Sequence, residues 1–330
     1  MLNRRHLLGL GVAGLAAPAL WSSEARAQAA WPTRGSIRLV AQFPPGGLVD
    51  TVSRLMAPIM AQALGQNVVV ENRAGAGGII GTDVVAKAPA DGYTLLVSHA
   101  SVHVFGTATR SSLPFDPIND FTHMVQMVEA PNILLVRANS PFQTLEQYLT
   151  AARTRPVRFG SSGIGSAPHL LGAMLSAEAR APNLDHIPYA GSAPAMQDVL
   201  ANNIESMVDP ITTNVQQLRD GSLRALAIST SQRLSAFPNI PTFAELGFPK
   251  LTSAQWLGLS GPKNLPAPIV ERLTAIVPPI LQRPDLMERF VALQTMPRSP
   301  APTGAAFVEI IRSEIAEWTA VARQFSISVS

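Results

Sequence analysis

The sequence predicts an α/β protein of two lobes, each a mostly parallel sheet flanked by helices. Apolar runs of strand length alternate with helical patterns, which is the signature of βαβ units. The alternation occurs twice, before and after a long extended stretch at 124–136. The roughly 300 residues that follow the N-terminal leader exceed the size at which one hydrophobic core usually stops growing. With 47% hydrophobic residues, the chain can fill two cores.

The first unit reads as β-α-β-α-β, an order that the right-handed crossover rule folds into a parallel sheet. Its first predicted helix has apolar residues at Val52, Leu55, Met56 and Ile59, the spacing of one helix face. The predicted elements are a strand at 37–43, a helix at 50–64, a strand at 67–71, a helix after the turn at 73–78, and a strand at 93–98.

The second unit repeats this order, and two extended segments at 132–136 and 254–259 bracket it as crossovers between lobes. They divide the chain into lobe 1, residues 28–133 plus 254–330, and lobe 2, residues 134–253. The C-terminal helices are expected to return to lobe 1. The predicted elements are strands at 157–159, 186–188, 204–208, 223–229 and 253–260, and helices at 168–179, 193–202, 268–281, 284–293 and 303–323.

The N-terminus has the pattern of a secretory signal peptide over residues 1–27. Arg4 and Arg5 precede an apolar run at 6–20, and the small-residue site at 25–27 follows it. An apolar core of about 14 residues, interrupted by Pro18, is too short for a transmembrane helix. We therefore expect a periplasmic protein, exported by either the general secretory route or the twin-arginine route.

Charge and cysteine content exclude several classes of protein. The chain has 25 basic and 22 acidic residues, and removing the leader leaves 22 and 21, so no basic surface for nucleic acid is expected. The absence of cysteine removes disulfides, thiol nucleophiles and thiolate metal sites. After the leader, no apolar stretch is long enough to cross a membrane.

Two glycine-rich turns lie between a predicted strand and a helix-like stretch, at 44–50 and 160–169. Such a turn exposes backbone N–H groups at the positive end of the helix, where an anion can bind. Ligands of open parallel sheets bind outside the carboxyl ends of the strands. The two turns therefore predict a cleft that holds a small acidic molecule from both sides. No arginine is visible in these turns.

Several sequence blocks resemble the extracytoplasmic receptors of the tripartite tricarboxylate transporters, the Bug proteins. The similarity extends from Trp31 almost to the C-terminus and depends on the blocks occurring together. They are PPGG followed by Asp50, ENRAGAGG, DGYTLL, PYAG and PTFAELG. The resemblance implies the two-lobed periplasmic-binding-protein fold of type II, closure around a small carboxylate, and no catalysis. The implied partners are the ligand and the membrane subunits of a transporter, with the receptor itself a monomer.

The residues and the resemblance together give a set of candidate ligand-binding positions. Asp50 either caps the first helix or, as in some family receptors for amino acids, faces a ligand ammonium group. Family members commonly carry a basic residue where Ala190 stands, so a highly charged ligand is less expected here. The candidates are Pro45, Gly46, Gly47, Asp50, Gly77, Gly78, Ser98, Ser101, Ser161, Gly163, Gly165, Ser166, His169, Tyr189, Gly191 and Asp209, and His99 is a further polar residue at the end of the third strand.

Enzyme and cofactor functions find little support in the sequence. A serine hydrolase is disfavoured because the chain has no G-x-S-x-G motif. His99 and His103 are four residues apart, but no glutamate lies between them and they are not on one helix face, so no metal site is expected. The glycines at 75–78 lack the third glycine of a dinucleotide fingerprint, so no cofactor is expected. A receptor that signals to a membrane-bound sensor kinase remains the alternative to transport.

Overall fold

The computed structural model describes residues 31–325 and 327–328. The predicted signal peptide at 1–27 lies outside these residues. The strands are β1 (Ile37–Ala41), β2 (Val68–Asn72), β3 (Thr94–His99), β4 (Phe121–Arg137), β5 (Val157–Ser161), β6 (Leu184–Pro188), β7 (Ser206–Pro210), β8 (Leu223–Ile228), β9 (Ala254–Pro262) and β10 (Met296–Pro297). The helices are α1 (Leu48–Leu64), α2 (Ile79–Ala86), α3 (Thr107–Thr109), α4 (Leu145–Thr154), α5 (Ala167–Glu178), α6 (Ser192–Leu200), α7 (Val215–Arg219), α8 (Ala267–Leu281), α9 (Pro284–Ala292) and α10 (Ala305–Gln324).

The strands form two similar halves with the same internal order. In the first half, β1 lies between β2 and β3 and is parallel to both. In the second half, β5 lies between β6 and β7 and is again parallel to both. Each half therefore has its second strand, then its first, then its third, as expected for a unit built twice.

Two long strands join the halves, and both run antiparallel to their neighbours. Strand β9 pairs with β3 on one side and with β4 on the other. Strand β4 pairs with β9 up to Pro131 and, from Asn132, with β7 and β8. The predicted crossovers at 132–136 and 254–259 fall in these two strands. The lobe boundaries drawn from them stay a prediction.

Separate hydrophobic cores underlie the two halves, which we call the first and second lobes. In the first lobe, Val52, Met56 and Met60 of α1 are almost fully buried against β1, β3 and α8. In the second lobe, Phe159 packs among residues of α4 and α5, while α6 and α7 cover the opposite face of the sheet. The apolar face of each helix thus predicts which side it buries.

The C-terminal helices differ in part from the prediction that they return to the first lobe. Helices α8 and α9 pack on the first core. Helix α10 contacts both halves instead. Phe307 and Ile311 share a cluster with Trp256 and with Leu170 of α5, and Trp318 packs against the second core. Its 20 residues span about 30 Å, which is long enough to reach across both lobes.

Some elements were not predicted from the sequence. Helix α4 begins after Thr144, whose hydroxyl accepts a hydrogen bond from the Gln147 N–H (3.2 Å). After β3, the chain forms a wide helical segment at Ser101–Gly106 that continues into α3. Within the part of the chain that the structure describes, no helix combines the length and apolarity needed to cross a bilayer.

Candidate functional site

A small pocket lies between the N-terminus of α1, in the first lobe, and that of α6, in the second. The chain enters both helices directly from the carboxyl end of a parallel strand, β1 or β6. This is the edge of an α/β sheet where ligands bind. The lining residues are Phe43, Pro44, Pro45, Gly47, Leu48, Val49, His99, Ser162, Gly191, Ser192, Ala193, Pro210 and Gln255.

Backbone N–H groups at both helix ends are available in this pocket. The first N–H groups of a helix have no partner within it. Those of Leu48 and Val49 in α1, and of Ser192 and Ala193 in α6, make no hydrogen bond to the described residues. Because the positive end of each helix dipole also points here, the two helices together favour a negative charge between them.

A buried carboxylate fixes the start of α6. Asp209, at the end of β7, is fully buried and accepts hydrogen bonds from Ser192 Oγ (2.6 Å) and Asn214 Nδ2 (2.7 Å), and from the Thr213 hydroxyl. Burial raises the pKa of Asp209 to about 6, although these three donors oppose the shift. Asp209 therefore orients Ser192 from beneath the pocket.

His99 brings an unpaired polar side chain to the pocket wall. Only 4% of His99 is exposed, and neither ring nitrogen has a hydrogen-bond partner among the described residues. Its ring packs edge-to-face on Phe43, with centroids 5.5 Å apart. Burial lowers the pKa of His99 to about 3, so the imidazole is neutral at pH 7. The Gln255 side chain opposes this shift, but its contact with the ring does not have the geometry of a hydrogen bond. The neutral imidazole can donate one hydrogen bond and accept another.

Asp50 has no free oxygen for a ligand, in contrast to His99. Its Oδ2 accepts from the Gly46 N–H (2.9 Å) and Arg54 Nε (3.0 Å), and its Oδ1 accepts from Asn72 Nδ2 (2.9 Å) and Arg54 Nη2 (2.9 Å). Burial raises the pKa of Asp50, but these hydrogen bonds outweigh it and keep the pKa below its usual value. Asp50 stabilises the turn before α1 and also occupies the Gly46 N–H.

The sequence predicts the turn after β5 as the second anion-binding turn. Most polar groups of this turn make hydrogen bonds within the protein. The Gly163 N–H donates to Ser161 Oγ (3.2 Å) and the Gly165 N–H donates to His169 Nδ1 (3.1 Å). The Ser166 hydroxyl donates to the Gly163 carbonyl (2.7 Å). Ser162 is the residue of this turn that lines the pocket. The available N–H groups of the second lobe are therefore those of α6 rather than those of α5.

Two histidines support this turn from behind. His169 and His186 stack with their ring centroids 4.0 Å apart, and His186 Nε2 lies 2.7 Å from Ser161 Oγ. Burial lowers the pKa of His169 to about 4 and that of His186 to about 3, so both rings are neutral at pH 7. His169 thus holds the turn in shape and does not supply a positive charge.

A second, larger opening adjoins the pocket and shares Phe43 and Ser162 with it. Here the two lobes touch. A side chain at Gly77 would place its Cβ 2.9 Å from the Ile164 carbonyl oxygen, so only glycine allows this approach. Arg110 Nη2 donates to the same oxygen (3.0 Å). The other lining residues are Gly75, Ala76, Gly78, Gly163, Pro188, Tyr189 and Ala190.

The predicted site residues fall into three groups. Pro45, Gly47 and Gly191 line the pocket, and Gly77, Gly78, Gly163 and Tyr189 line the second opening. Ser98 lies away from both, because its hydroxyl bonds Ser260 Oγ (2.8 Å) on the opposite face of β3 from His99. The others line neither opening and make hydrogen bonds within the protein: Gly46, Asp50, Ser101, Ser161, Gly165, Ser166, His169 and Asp209.

Several site residues were not among the candidates, and two of them, Gln255 and Arg110, come from segments that the sequence analysis did not single out. Gln255, in β9, lines the pocket while its Oε1 accepts from Ser101 Oγ (3.1 Å) and its Nε2 donates to Asn132. The sequence signal that could have identified Gln255 is a polar residue near the start of an otherwise apolar strand. Arg110 comes from a segment without any motif. In the described part of the chain, no three His, Asp or Glu side chains are grouped so that they could hold a metal ion.

Comparison with known proteins agrees with this architecture. Residues 52–326 match the family described as the tripartite tricarboxylate transporter family receptor. The protein BugT of Bordetella pertussis is 34% identical over 318 residues, covering 96% of this chain and 94% of BugT.

Solved structures are similar in fold. The periplasmic binding protein BugD superposes with a TM-score of 0.86 at 30% identity, covering 90% of this chain and 99% of BugD. MatC from Rhodopseudomonas palustris, solved with bound malate, gives a TM-score of 0.82 at 30% identity, covering 87% of this chain and 99% of MatC. The predicted periplasmic-binding-protein fold is confirmed. The extent of the family match and the identity to these relatives show that the chain belongs to the tripartite tricarboxylate transporter family of receptors, which are solute-binding proteins rather than enzymes.

Proposed function

We propose that this protein captures a small carboxylate in the pocket between α1 and α6 and delivers it to a tripartite membrane transporter. The observation that carries the proposal is the pairing of two helix N-termini across one pocket, with the unpaired His99 between them. A carboxylate has the charge that both helix dipoles favour and enough lone pairs to accept several N–H donors.

In the pocket between α1 and α6, the ligand is held by neutral hydrogen-bond donors rather than by an ion pair. The pocket lining contains no lysine, arginine, aspartate or glutamate. Backbone N–H groups, the Ser162 hydroxyl and the His99 imidazole replace the hydration shell of the carboxylate. Hydrogen bonds to a charged acceptor are the stronger kind, so a few of them together with lobe closure support micromolar affinity, about 8 kcal/mol.

Contacts between the lobes support closure around the ligand. Gly77 meets Ile164, a Cβ on Gly191 would lie 3.0 Å from the Pro44 ring, and the Ser101 hydroxyl accepts from the Ala167 N–H (3.2 Å). A ligand that fits the closed pocket adds its own contacts to both lobes and shifts the equilibrium toward the closed form.

The cellular setting follows from the leader and the family. The predicted signal peptide and the periplasmic location of BugD support export to the periplasm, where the protein acts as a monomer. Malate in MatC is the ligand of that protein and supports the choice of small organic acids as the first to test.

Isothermal titration calorimetry of the mature chain tests the binding site. Acetate, succinate, malate and citrate are compared with succinamide, which has the same length as succinate but no charge. We expect micromolar binding of at least one acid and none of succinamide. Ala193→Phe, which fills the pocket, should abolish binding. Ala177→Phe is the matched control, because Ala177 also lies on a helix but lines a different cavity.

Two results would contradict the proposal. Binding that survives Ala193→Phe would place the ligand elsewhere, and failure of every acid would remove the carboxylate assignment. The transport step is tested by uptake of the labelled ligand. Cells that lack the transporter membrane subunits should lose uptake while the purified receptor still binds. Normal uptake in those cells would reject the transporter as the partner.

A further inference from the structure

Arg110 occupies an unusual position for a charged side chain. It follows α3 in the first lobe, and its guanidinium reaches the second lobe, where Nη2 contacts the Ile164 carbonyl oxygen at 3.0 Å. It forms no ion pair with any carboxylate of residues 31–325 and 327–328, and this carbonyl is the one hydrogen-bond acceptor it has there. Four of its five N–H donors are therefore unused by these residues.

The environment of Arg110 favours an anion. Of the residues that line the pocket and the second opening, Arg110 is the one with a full charge at pH 7. Partial burial lowers the pKa of the guanidinium, and no nearby negative charge offsets that effect. A half-buried guanidinium without a counter-ion gains more from a carboxylate than an exposed one does, because its own hydration is already reduced.

The second opening connects Arg110 with the anion pocket. Phe43 and Ser162 line both spaces. A ligand that is bound at the N-termini of α1 and α6 and extends past these two residues therefore reaches toward the Arg110 guanidinium. The glycine turn at 75–78 and the turn at 162–164 form the walls on either side. No acidic side chain lines this path.

We propose that Arg110 binds a second carboxylate of the ligand, so that the receptor selects diacids over monoacids of the same length. This inference rests on the proposed function, since it assigns the first carboxylate to the pocket between α1 and α6. The planar guanidinium can bind the second carboxylate through two parallel N–H donors, which a point charge such as lysine cannot do. Arg110 is then a specificity-determining residue that also links the lobes through Ile164.

Calorimetry with matched ligands tests the proposal on the mature chain. Succinate, glutarate and adipate are each compared with their own monoamide, which keeps the length but has one charge fewer. We expect the best diacid to bind at least 10-fold more tightly than its monoamide. Arg110→Gln should weaken diacid binding by about 10- to 100-fold and change monoamide binding less than about twofold.

Three controls separate this role from others. Arg110→Lys keeps the positive charge but removes the two parallel N–H donors of the guanidinium. This variant should lose part of the preference for diacids over monoamides. Arg289→Gln removes an arginine of α9 that makes no ion pair with the described residues, and it should change neither affinity. Circular dichroism and melting temperature confirm that each variant is folded.

The outcomes are distinct. If Arg110→Gln weakens diacid and monoamide equally, Arg110 acts as a latch between the lobes and the proposal is wrong. Equal binding of diacid and monoamide by the unsubstituted protein would also overturn it, while the carboxylate receptor assignment would stand. If no acid binds at all, the proposed function fails together with this inference.

Discussion

At the scale of single residues, hydrogen-bond satisfaction separates structural polar groups from those that can bind a ligand. Asp50, in the first turn of α1, and Asp209, at the end of β7, are both buried acids, and both have their oxygens occupied by protein donors. His99 is as deeply buried but has no partner. A buried polar group without a protein partner lowers stability, and at a pocket wall it is available to a ligand.

Substitution of His99 by leucine tests this distinction. We expect His99→Leu to weaken binding of the best acid by about 10-fold or more, because a hydrogen bond to a charged acceptor is lost. The free energy of unfolding should stay the same or rise by about 1 kcal/mol, because an unpaired buried group is removed. Calorimetry and urea unfolding give the two quantities.

His123 provides the matched control for that substitution. Its Nε2 contacts the Pro117 carbonyl (3.0 Å) and its Nδ1 contacts Ser260 Oγ (2.9 Å), so both nitrogens are satisfied. His123→Leu should lower the free energy of unfolding by about 1–3 kcal/mol, since both partners are left unpaired. Equal stability losses in the two variants would show that His99 is an ordinary core histidine.

At the scale of elements, the site depends on two helix starts and on turns that allow the lobes to meet. Helix α1 begins after Gly47 and α6 after Gly191, and neither has a side-chain cap that would occupy its first N–H groups. Helix α5 does have such a cap, because Ser166 Oγ accepts from the His169 N–H (3.4 Å). This difference explains why α6 rather than α5 faces the ligand pocket with available donors.

Substitution of Gly77 by alanine tests lobe closure. The added Cβ would lie 2.9 Å from the Ile164 carbonyl oxygen, so we expect the closed form to be disfavoured and ligand affinity to fall by about 10-fold or more. Gly221→Ala is the control. Gly221 has a similar positive φ (73° against 67°), but a Cβ there would meet no atom within 4 Å.

Small-angle scattering with and without ligand provides the second measurement. Gly221→Ala should show the same ligand-induced compaction as the unsubstituted protein, and Gly77→Ala should show less. Both substitutions place an alanine at a positive φ, so both variants should lose some stability. If both variants bind and close normally, the contact between Gly77 and Ile164 does not limit closure.

At the scale of the whole molecule, buried histidines link stability to pH. Burial lowers the pKa of every histidine among the described residues, to about 3 for His99, His103 and His186 and about 4 for His123 and His169. Burial has the opposite effect on two acids, raising the pKa of Asp209 to about 6 and that of Glu314 to about 7.

Unfolding at several pH values tests this linkage. Below pH 6.5 the unfolded chain binds protons at histidines that stay neutral in the native state, so the histidine contribution to stability falls as the pH falls. Glu314 opposes this trend between about pH 7 and 4.5, and Asp209 opposes it between about pH 6 and 3.8, because in these ranges each carboxyl is protonated in the native state and ionised in the unfolded chain. Five histidines outnumber two acids, so we expect a net loss, at about 1.4 kcal/mol per pH unit for each net proton taken up.

Urea unfolding at pH 7.5, 6.5, 5.5 and 4.5 measures the slope. His99→Leu should make the slope shallower by about 1.4 kcal/mol per pH unit, because one titrating group is gone. Stability that is flat or rises on acidification would show that the buried histidines gain protons in the native state.

The sequence predicted most of the fold because its signals are local. Apolar periodicity placed α1, α8 and the strands of both units within a few residues, and their repetition predicted two similar halves. It missed α4, although the sequence carries the signal for that helix: Leu145, Tyr148, Leu149 and Ala152 have the spacing of one helix face, and Thr144 is an N-cap residue.

The sequence by itself determined the kind of site, and the tertiary structure decided which groups form it. Glycine-rich turns after buried strands predicted anion binding at helix starts, since strand, turn and helix are contiguous in the chain. Whether an N–H group is free depends on side chains distant in sequence, such as Ser101 bonding the Ala167 N–H. The same holds for Gln255 and Arg110, which reach the cleft only because β9 and the segment after β3 fold back onto it. Which N–H groups are taken by protein acceptors and which stay available to a ligand thus depends on the packing of the whole molecule. Local sequence patterns do not contain this information.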